Sequence, residues 1–146
     1  MMSGLTVFDS TIQETNGWLN DIQTLLINAD RRQAYEAVRA VLHTLRDRLT
    51  AESAVHLSAQ LPMLLRGLYF EGWKPSHTPT DERSAEAFID AVAKRLPAGF
   101  AGSVEDAVRA VFEIAWARLG EGEAQKIMRQ LPRPILELWP AVLWAT

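Results

Sequence analysis

The tripeptide Gln-Leu-Pro occurs twice in the chain, at residues 60–62 and 130–132, seventy positions apart. At this offset, residues 36–69 align with residues 106–139 without a gap, and 12 of the 34 positions are identical. Proline disfavours the helical conformation in the residue before it, but it suits the first turn of a following helix. We therefore expect each Leu-Pro to join two helices at a corner, with the leucine in the core. The offset predicts two copies of one helical unit.

Apolar residues recur every three to four positions along the chain, which is the spacing of one face of a helix. The pattern predicts a first helix near residues 12–27, opened by a capping box at residues 11–14. A second capping-box pattern at residues 30–33 precedes an apolar stripe that runs from Tyr35 to Leu49. The sequence thus predicts an all-α fold of about eight helices.

We expect these helices to form two pseudo-repeated antiparallel four-helix units that pack together. The predicted first unit covers residues 12–71 and the second covers residues 81–144, with a linker rich in glycine and proline at residues 72–80. A unit of this size buries only about 60% of its surface alone, so the two units should share apolar surface.

Composition and motifs exclude several classes of function. The chain has no cysteine, which excludes disulfides and thiolate chemistry, and its three histidines have no metal-ligand spacing, so we expect no metal. The net charge of -3, without a basic segment, argues against nucleic-acid binding. No phosphate-binding glycine loop or nucleophile elbow is present, so we expect no cofactor and no catalytic residue, and the sequence favours a non-enzymatic function over an enzymatic one without deciding between them. The sequence also lacks a signal-peptide pattern and an apolar run of membrane-spanning length, which predicts a cytoplasmic protein without membrane association.

The polar face of the second predicted helix is the first candidate site. Arg39, His43 and Arg46 lie opposite the apolar stripe, together with Arg32, Glu36 and Asp47. One interpretation is a solvated helix face with ion pairs one turn apart. The other is an anion pocket built from Arg39, His43 and Arg46.

The stretch before the linker is the second candidate site. Arg66 and Gly67 interrupt an apolar helix, and an interior glycine costs about 1 kcal/mol relative to alanine, so we expect a backbone or a ligand close to it. Tyr69, Glu71 and Trp73 follow beside the linker, where a cleft between the two units can form. These residues either seal the joint between the units or bind a ligand.

The C-terminal tail is the third candidate site, because it is unusually apolar from Pro140 onward. Two interpretations remain open: the tail packs on its own helices, or it forms a self-association surface. The candidate residues are Leu138, Trp139, Val142, Leu143 and Trp144.

Two runs of sequence resemble a known family. RAVLHTLRDRL at residues 39–49, followed by QLPMLLRGLYFEGW at residues 60–73, is similar to the bacterial family called domain of unknown function 2267. The resemblance extends from about Asn16 to Trp139 and includes the Leu-Trp-Pro near the end of the chain, whereas the apolar tail beyond it departs from the family. It implies an all-helical bacterial protein with no established activity, so no site residue can be transferred.

Two functional hypotheses follow. The preferred one is a non-enzymatic interaction or scaffold module that binds a protein partner or forms a homo-oligomer. The alternative is a protein that binds an anionic small molecule, of unknown identity, in a cleft between the two units.

Overall fold

A computed structural model describes residues 4–119 and 122–145 of the chain. These residues form eight α-helices and two short 3₁₀ helices, at Pro75–His77 and Ala141–Leu143, and no strand, which confirms the all-α prediction. The α-helices are α1 Thr6–Leu25, α2 Arg31–Arg48, α3 Ala51–Ser58, α4 Met63–Phe70, α5 Ala85–Arg95, α6 Val104–Leu119, α7 Glu123–Met128 and α8 Arg133–Leu136.

Helix α2 begins with the predicted capping box. The Asp30 side chain accepts a hydrogen bond from the Gln33 backbone N–H at 2.8 Å. The Gln33 side chain in turn accepts one from the Asp30 backbone N–H at 3.1 Å. Two main-chain donors at the helix start are thus satisfied by local side chains, so the sequence pattern alone determines this boundary.

The predicted start of α1 is wrong by about one and a half turns. The helix begins at Thr6, so the expected cap Thr11 lies inside it. The Thr11 hydroxyl instead accepts a hydrogen bond from the backbone N–H of Leu64, at 2.8 Å, in the first turn of α4. Helix α4 follows Pro62, whose side chain has no acceptor, and a residue from another helix therefore satisfies its unpaired donor.

Both Leu-Pro corners have the same local conformation. Leu61 and Leu131 are buried, with 3% and 6% of their surface exposed, as predicted. Pro62 and Pro132 occupy the N-cap position, one residue before the predicted first turn. The preceding turns also match, because the N–H of residue 60 bonds to the carbonyl of residue 57 at 3.0 Å and that of residue 130 to residue 127 at 3.1 Å.

The core is continuous from the first half of the chain to the second. Helix α2 lies at its centre and packs against α1, α3, α4, α5 and α6, while α1 also packs on α6 and α3 on α7. Buried aromatic rings connect the second half, where Phe112 stacks on Trp139 with centroids 4.0 Å apart. The two halves thus share apolar surface, in line with their small individual size.

Residues 71–80 cross the C-terminal end of α2. A tight turn starts this segment, in which the N–H of Trp73 bonds to the carbonyl of Phe70 at 3.1 Å. Gly72 has a φ of +74° in the turn, a conformation that favours glycine. Further along, the N–H of Thr80 bonds to the carbonyl of Asp47 at 2.8 Å, which holds the segment against α2. Within the described part of the chain, no helix has the length and apolar character needed to span a membrane.

Candidate functional site

A cleft of about 500 Å³ lies between α2, residues 71–80 and the C-terminal end of α5. We call it the basic cleft. Its volume is in the range of pockets that hold small molecules. Its lining residues are Arg39, His43, Arg46, Asp47, Glu71, Gly72, Lys74, His77, Thr80 and Arg95.

Positive charge predominates in the basic cleft. Its lining contains four permanently cationic side chains, three arginines and Lys74, against the two carboxylates of Asp47 and Glu71. Four positive charges minus two negative charges leave +2, with both histidines counted as neutral. The whole chain carries -3, so this local charge has the opposite sign to that of the molecule. An anion is therefore the ligand class that the lining favours.

Arg46 forms the buried wall of the basic cleft, with 3% of its surface exposed. Its Nη1 donates to the carbonyls of Tyr69 and Glu71, at 2.8 and 2.9 Å. These carbonyls belong to the end of α4, where main-chain acceptors lack helical partners. Its Nε donates to Asp47 Oδ1 at 2.8 Å. The guanidinium is therefore fixed in place before any ligand arrives.

Asp47 connects Arg46 to a second arginine from another helix. Arg95, in the last turn of α5, donates from Nη2 to Asp47 Oδ2 at 2.6 Å. Its Nη1 donates to the Thr44 hydroxyl at 2.7 Å. One carboxylate thus lies between two guanidinium groups, so this group of three side chains carries a net charge of +1 in the cleft wall.

His43 is buried beside Arg46, with 5% of its surface exposed. Its Nε2 lies 2.7 Å from the carbonyl of Leu68, so this nitrogen carries the proton and donates. Burial lowers the pKa of His43, the bond to Leu68 raises it, and the nearby charges of Arg46, Arg39 and Arg95 lower it, with a net decrease. The imidazole is therefore neutral near pH 7, with Nδ1 unprotonated.

The prediction of a solvated face on α2 is wrong for His43 and Arg46, which are both buried. The end of α4 and the turn at Gly72 cover this face and supply the carbonyls to which both side chains donate. Periodicity within α2 does not reveal which segment covers its polar face.

Several donors in the basic cleft have no partner in the described part of the chain. Arg39 donates from Nη2 to Glu71 Oε1 at 3.2 Å, and its side chain is 39% exposed. No hydrogen bond within residues 4–119 and 122–145 uses its Nε or Nη1, the backbone N–H of Gly72, or the side chains of Lys74 and His77. These groups remain available to a ligand.

Three residues predicted in this region do not line the basic cleft. Arg66 donates to the carbonyls of Ser58 and Leu61, at 3.0 and 3.1 Å, and so caps the end of α3. Tyr69 is fully buried and donates from its hydroxyl to the carbonyl of Ala54 at 2.7 Å. Burial raises the pKa of Tyr69, so the phenol stays neutral. Trp73 is half-buried and packs on Phe70, with ring centroids 5.2 Å apart.

The expectation that a backbone approaches Gly67 is wrong. Nothing outside its own helix lies within 4 Å of the position that a Cβ would occupy. Gly67 instead borders two grooves beside α1.

The structure brings four predicted residues together around the basic cleft, namely Arg39, His43, Arg46 and Glu71. Sequence reasoning did not name Lys74, His77, Thr80 or Arg95 as site residues. The only sequence signal for the first three of these was their position in the linker. Arg95 had no signal, because only tertiary contact brings it to Asp47.

The apolar tail packs on its own chain. Leu138, Trp139 and Leu143 are buried, and the Nε1 of Trp144 donates to the carbonyl of Trp139 at 2.7 Å. The guanidinium of Arg133 lies over the ring of Trp144, 5.5 Å from its centroid. Val142, at 64% exposure, is the most exposed of the five tail candidates.

The protein is thus all-helical in its described part, and positive charge is locally concentrated in the basic cleft. Among the described residues, no group of three or more histidine and acidic side chains is arranged to hold a metal ion. The chain belongs to the family described as uncharacterized conserved protein, DUF2267, whose model matches residues 15–138. The match includes most of α1, the basic cleft and both Leu-Pro corners, which confirms the resemblance inferred from sequence. No curated protein matches the chain.

Proposed function

We propose that the protein binds a small anionic ligand in the basic cleft. The observation that carries this proposal is the net charge of +2 on a lining that combines fixed cations with uncommitted donors. Arg46 and Arg95 are held by Asp47, so ligand binding orders neither side chain. Such preorganisation strengthens binding because less conformational entropy is lost. Arg39, Lys74 and the Gly72 N–H supply the hydrogen bonds.

Calorimetric titration of the full chain with inorganic phosphate at low ionic strength tests this proposal. We expect Arg39→Gln to weaken binding about tenfold, because a hydrogen bond to a charged group contributes about 1.5 kcal/mol. Arg109→Gln is the matched control, since it removes the same charge from α6, where Arg109 pairs with Glu105. The absence of binding to the wild type, or equal weakening by the two variants, contradicts the proposal.

Glu71→Gln gives a second test with the opposite sign. The Glu71 carboxylate is 63% exposed and pairs with Arg39 at the mouth of the basic cleft. Its neutralisation raises the local charge and releases a guanidinium donor, so we expect tighter phosphate binding. Glu137→Gln, which neutralises a similarly paired carboxylate elsewhere, controls for net charge. Unchanged or weaker phosphate binding by Glu71→Gln contradicts the role given to Arg39.

A second candidate function is self-association through an apolar face on α1 and α4. A groove of about 460 Å³ lies between these two helices and is lined in part by Phe8, Met63 and Leu64. These three side chains and the adjacent Val7 are between 44% and 51% exposed. Contiguous exposed apolar surface is typical of interaction sites. This face, rather than the buried tail, is the one we propose for the interaction function.

Sedimentation velocity over a concentration series tests the apolar face. We expect Leu64→Lys to shift the chain toward monomer. Ile27→Lys is the control, since Ile27 is 88% exposed in the turn after α1 and does not line the groove. A wild-type chain that is monomeric at every concentration, or equal effects of the two lysines, contradicts self-association through this face.

We further propose that the two halves arose by duplication, with residues 12–71 and 81–144 as the copies. Helix boundaries that lie seventy residues apart support the duplication. Helices α1 and α5 end at Leu25 and Arg95, and helices α4 and α8 begin at Met63 and Arg133. The basic cleft is not repeated, because Arg46 and Glu71 correspond at this offset to Trp116 and Ala141. An experimental structure in which residues 31–70 fail to superpose on residues 101–140 contradicts the duplication.

A further inference from the structure

We propose that the basic cleft binds a phosphate-type dianion together with one proton, and that His43 takes up this proton. This inference rests on the proposed function and deepens it, because it specifies the charge of the ligand and makes binding dependent on pH.

The charge of the lining selects a dianion. The Arg46, Asp47 and Arg95 side chains together carry +1, the Arg39 and Glu71 pair is neutral, and Lys74 adds +1. Before His43 takes up a proton, a dianion therefore matches the charge of the lining, whereas a monocarboxylate leaves one positive charge uncompensated; the proton then gives the complex a charge of +1. The uncommitted donors lie on two separate segments, α2 and residues 71–80, which suits an oxyanion whose oxygens point in several directions.

His43 is the buried imidazole in the cleft wall, and a ligand can change its charge. Its Nε2 proton is committed to the carbonyl of Leu68, at 2.7 Å, so Nδ1 is the ring nitrogen left for a ligand. In the neutral ring Nδ1 has a lone pair, which repels an anionic oxygen. In the imidazolium it carries a proton and donates, so contact with a dianion favours the protonated ring.

The surroundings of His43 keep it neutral until a ligand binds. The charges of Arg39 and Arg46 on α2 and of Arg95 on α5 act on it, and Lys74 and His77, on residues 71–80, line the same cleft. The carboxylates in the lining are Asp47 and Glu71, and neither accepts a hydrogen bond from the imidazole. Burial and the three guanidinium charges lower the pKa of the free histidine. A dianion in contact with the ring adds the opposite charge, which raises this pKa in the complex.

Proton uptake makes affinity depend on pH with a defined sign. Between the lowered pKa of the free protein and the raised pKa of the complex, each complex that forms takes up one proton. The affinity then rises by up to about tenfold for each unit by which the pH falls. Sulfate is the appropriate probe because it stays dianionic across this range, whereas phosphate takes up a proton of its own.

The experiment is calorimetric titration of the full chain with sodium sulfate at about pH 7.5, 6.5 and 5.5 and constant ionic strength. We expect the wild type to bind sulfate more tightly at each lower pH. Titrations in buffers of different ionisation enthalpy should show net proton uptake, of up to one proton per sulfate. This second readout uses only the wild type, so it does not depend on the folding of any variant.

Histidine variants identify the residue that takes up the proton when sulfate binds. His43→Gln keeps an amide donor for the Leu68 carbonyl but has no titratable group, so its sulfate affinity should lose the pH dependence. His56→Gln, on the exposed face of α3, is the control that should retain it, and His77→Gln tests whether the second imidazole of the cleft takes up the proton instead. Retention in His43→Gln, or loss in His77→Gln, overturns the assignment to His43.

The outcomes separate this inference from the proposed function. If Arg39→Gln weakens sulfate binding but the wild type binds sulfate equally tightly at every pH, the coupling of binding to proton uptake is overturned and the proposed function is not. The absence of binding by both sulfate and phosphate overturns the proposed function and this inference together.

Discussion

The guanidinium of Arg46 satisfies two main-chain carbonyls at the end of α4 and hydrogen-bonds both oxygens of Asp47. A buried cation of this kind stabilises the fold only while every partner is in place. If the side chain is shortened, the two carbonyls lose their donor and Asp47 loses one of its two cationic partners.

We therefore expect Arg46→Gln to lower the free energy of unfolding by about 3 kcal/mol, the range for breaking a buried ion pair. Arg118→Gln breaks a more exposed pair with Asp21, in which the arginine side chain is 32% exposed, and should cost less than about 1 kcal/mol. Urea denaturation monitored by circular dichroism measures both losses. Similar losses for the two variants would show that the burial of Arg46 contributes little.

His43 makes the stability of the ligand-free protein depend on pH. Its pKa is lowered in the folded state, mainly by burial, so the unfolded chain binds the proton more readily. The stability that the neutral ring contributes is complete above the unfolded pKa of about 6.5 and is lost as the pH falls below it.

We expect wild-type protein to lose more stability than His43→Gln between about pH 7.5 and pH 5.5 in a buffer without polyvalent anions. Urea denaturation at these pH values gives the comparison, with His56→Gln as the control that behaves like wild type. Parallel stability curves for the wild type and His43→Gln would contradict a lowered pKa.

At the scale of helices, the two Leu-Pro corners place one leucine each in the core, Leu61 and Leu131. We expect Leu61→Ala and Leu131→Ala to cost about 2–5 kcal/mol each, because a buried leucine leaves a cavity. Val142→Ala, at a residue that is 64% exposed, should stay within about 0.5 kcal/mol of wild type. Thermal or urea unfolding of the three variants measures the loss of stability. An unchanged free energy of unfolding in either leucine variant would contradict the claim that both corners place a leucine in the core.

Local signals in the sequence were sufficient for the fold class and for several helix boundaries, but tertiary contacts decided the rest. The capping box at Asp30 and the Leu-Pro corners could be predicted because their partners lie within a few residues. The start of α1 could not, since Thr11 bonds to Leu64 on another helix. In the site, Arg39, His43 and Arg46 could be grouped by their spacing on α2. Arg95 could not, because its contact with Asp47 joins residues 48 positions apart.

In the whole molecule, the halves of the chain share one core and jointly form the basic cleft. Helix α2 packs on α5 and α6, and Arg95 reaches from α5 to Asp47. Docking of the second half therefore holds one wall of the cleft in place.

We expect the chain to unfold in a single cooperative transition, because neither half buries enough surface alone. Tryptophan fluorescence reports on both halves through the buried Trp18 and Trp139, and far-ultraviolet circular dichroism reports on all helices. The two urea curves should coincide. Separate midpoints would show that the halves fold independently and that the shared core contributes little.

The most direct test of the basic cleft is a phosphate titration of isotope-labelled protein followed by amide nuclear magnetic resonance. We predict saturable shifts concentrated at Gly72, Lys74, His77 and Thr80, and at the facing residues of α2, with little change on α7 and α8. Shifts that do not saturate, or that cluster away from these residues, would contradict the claim that this cleft binds an anion.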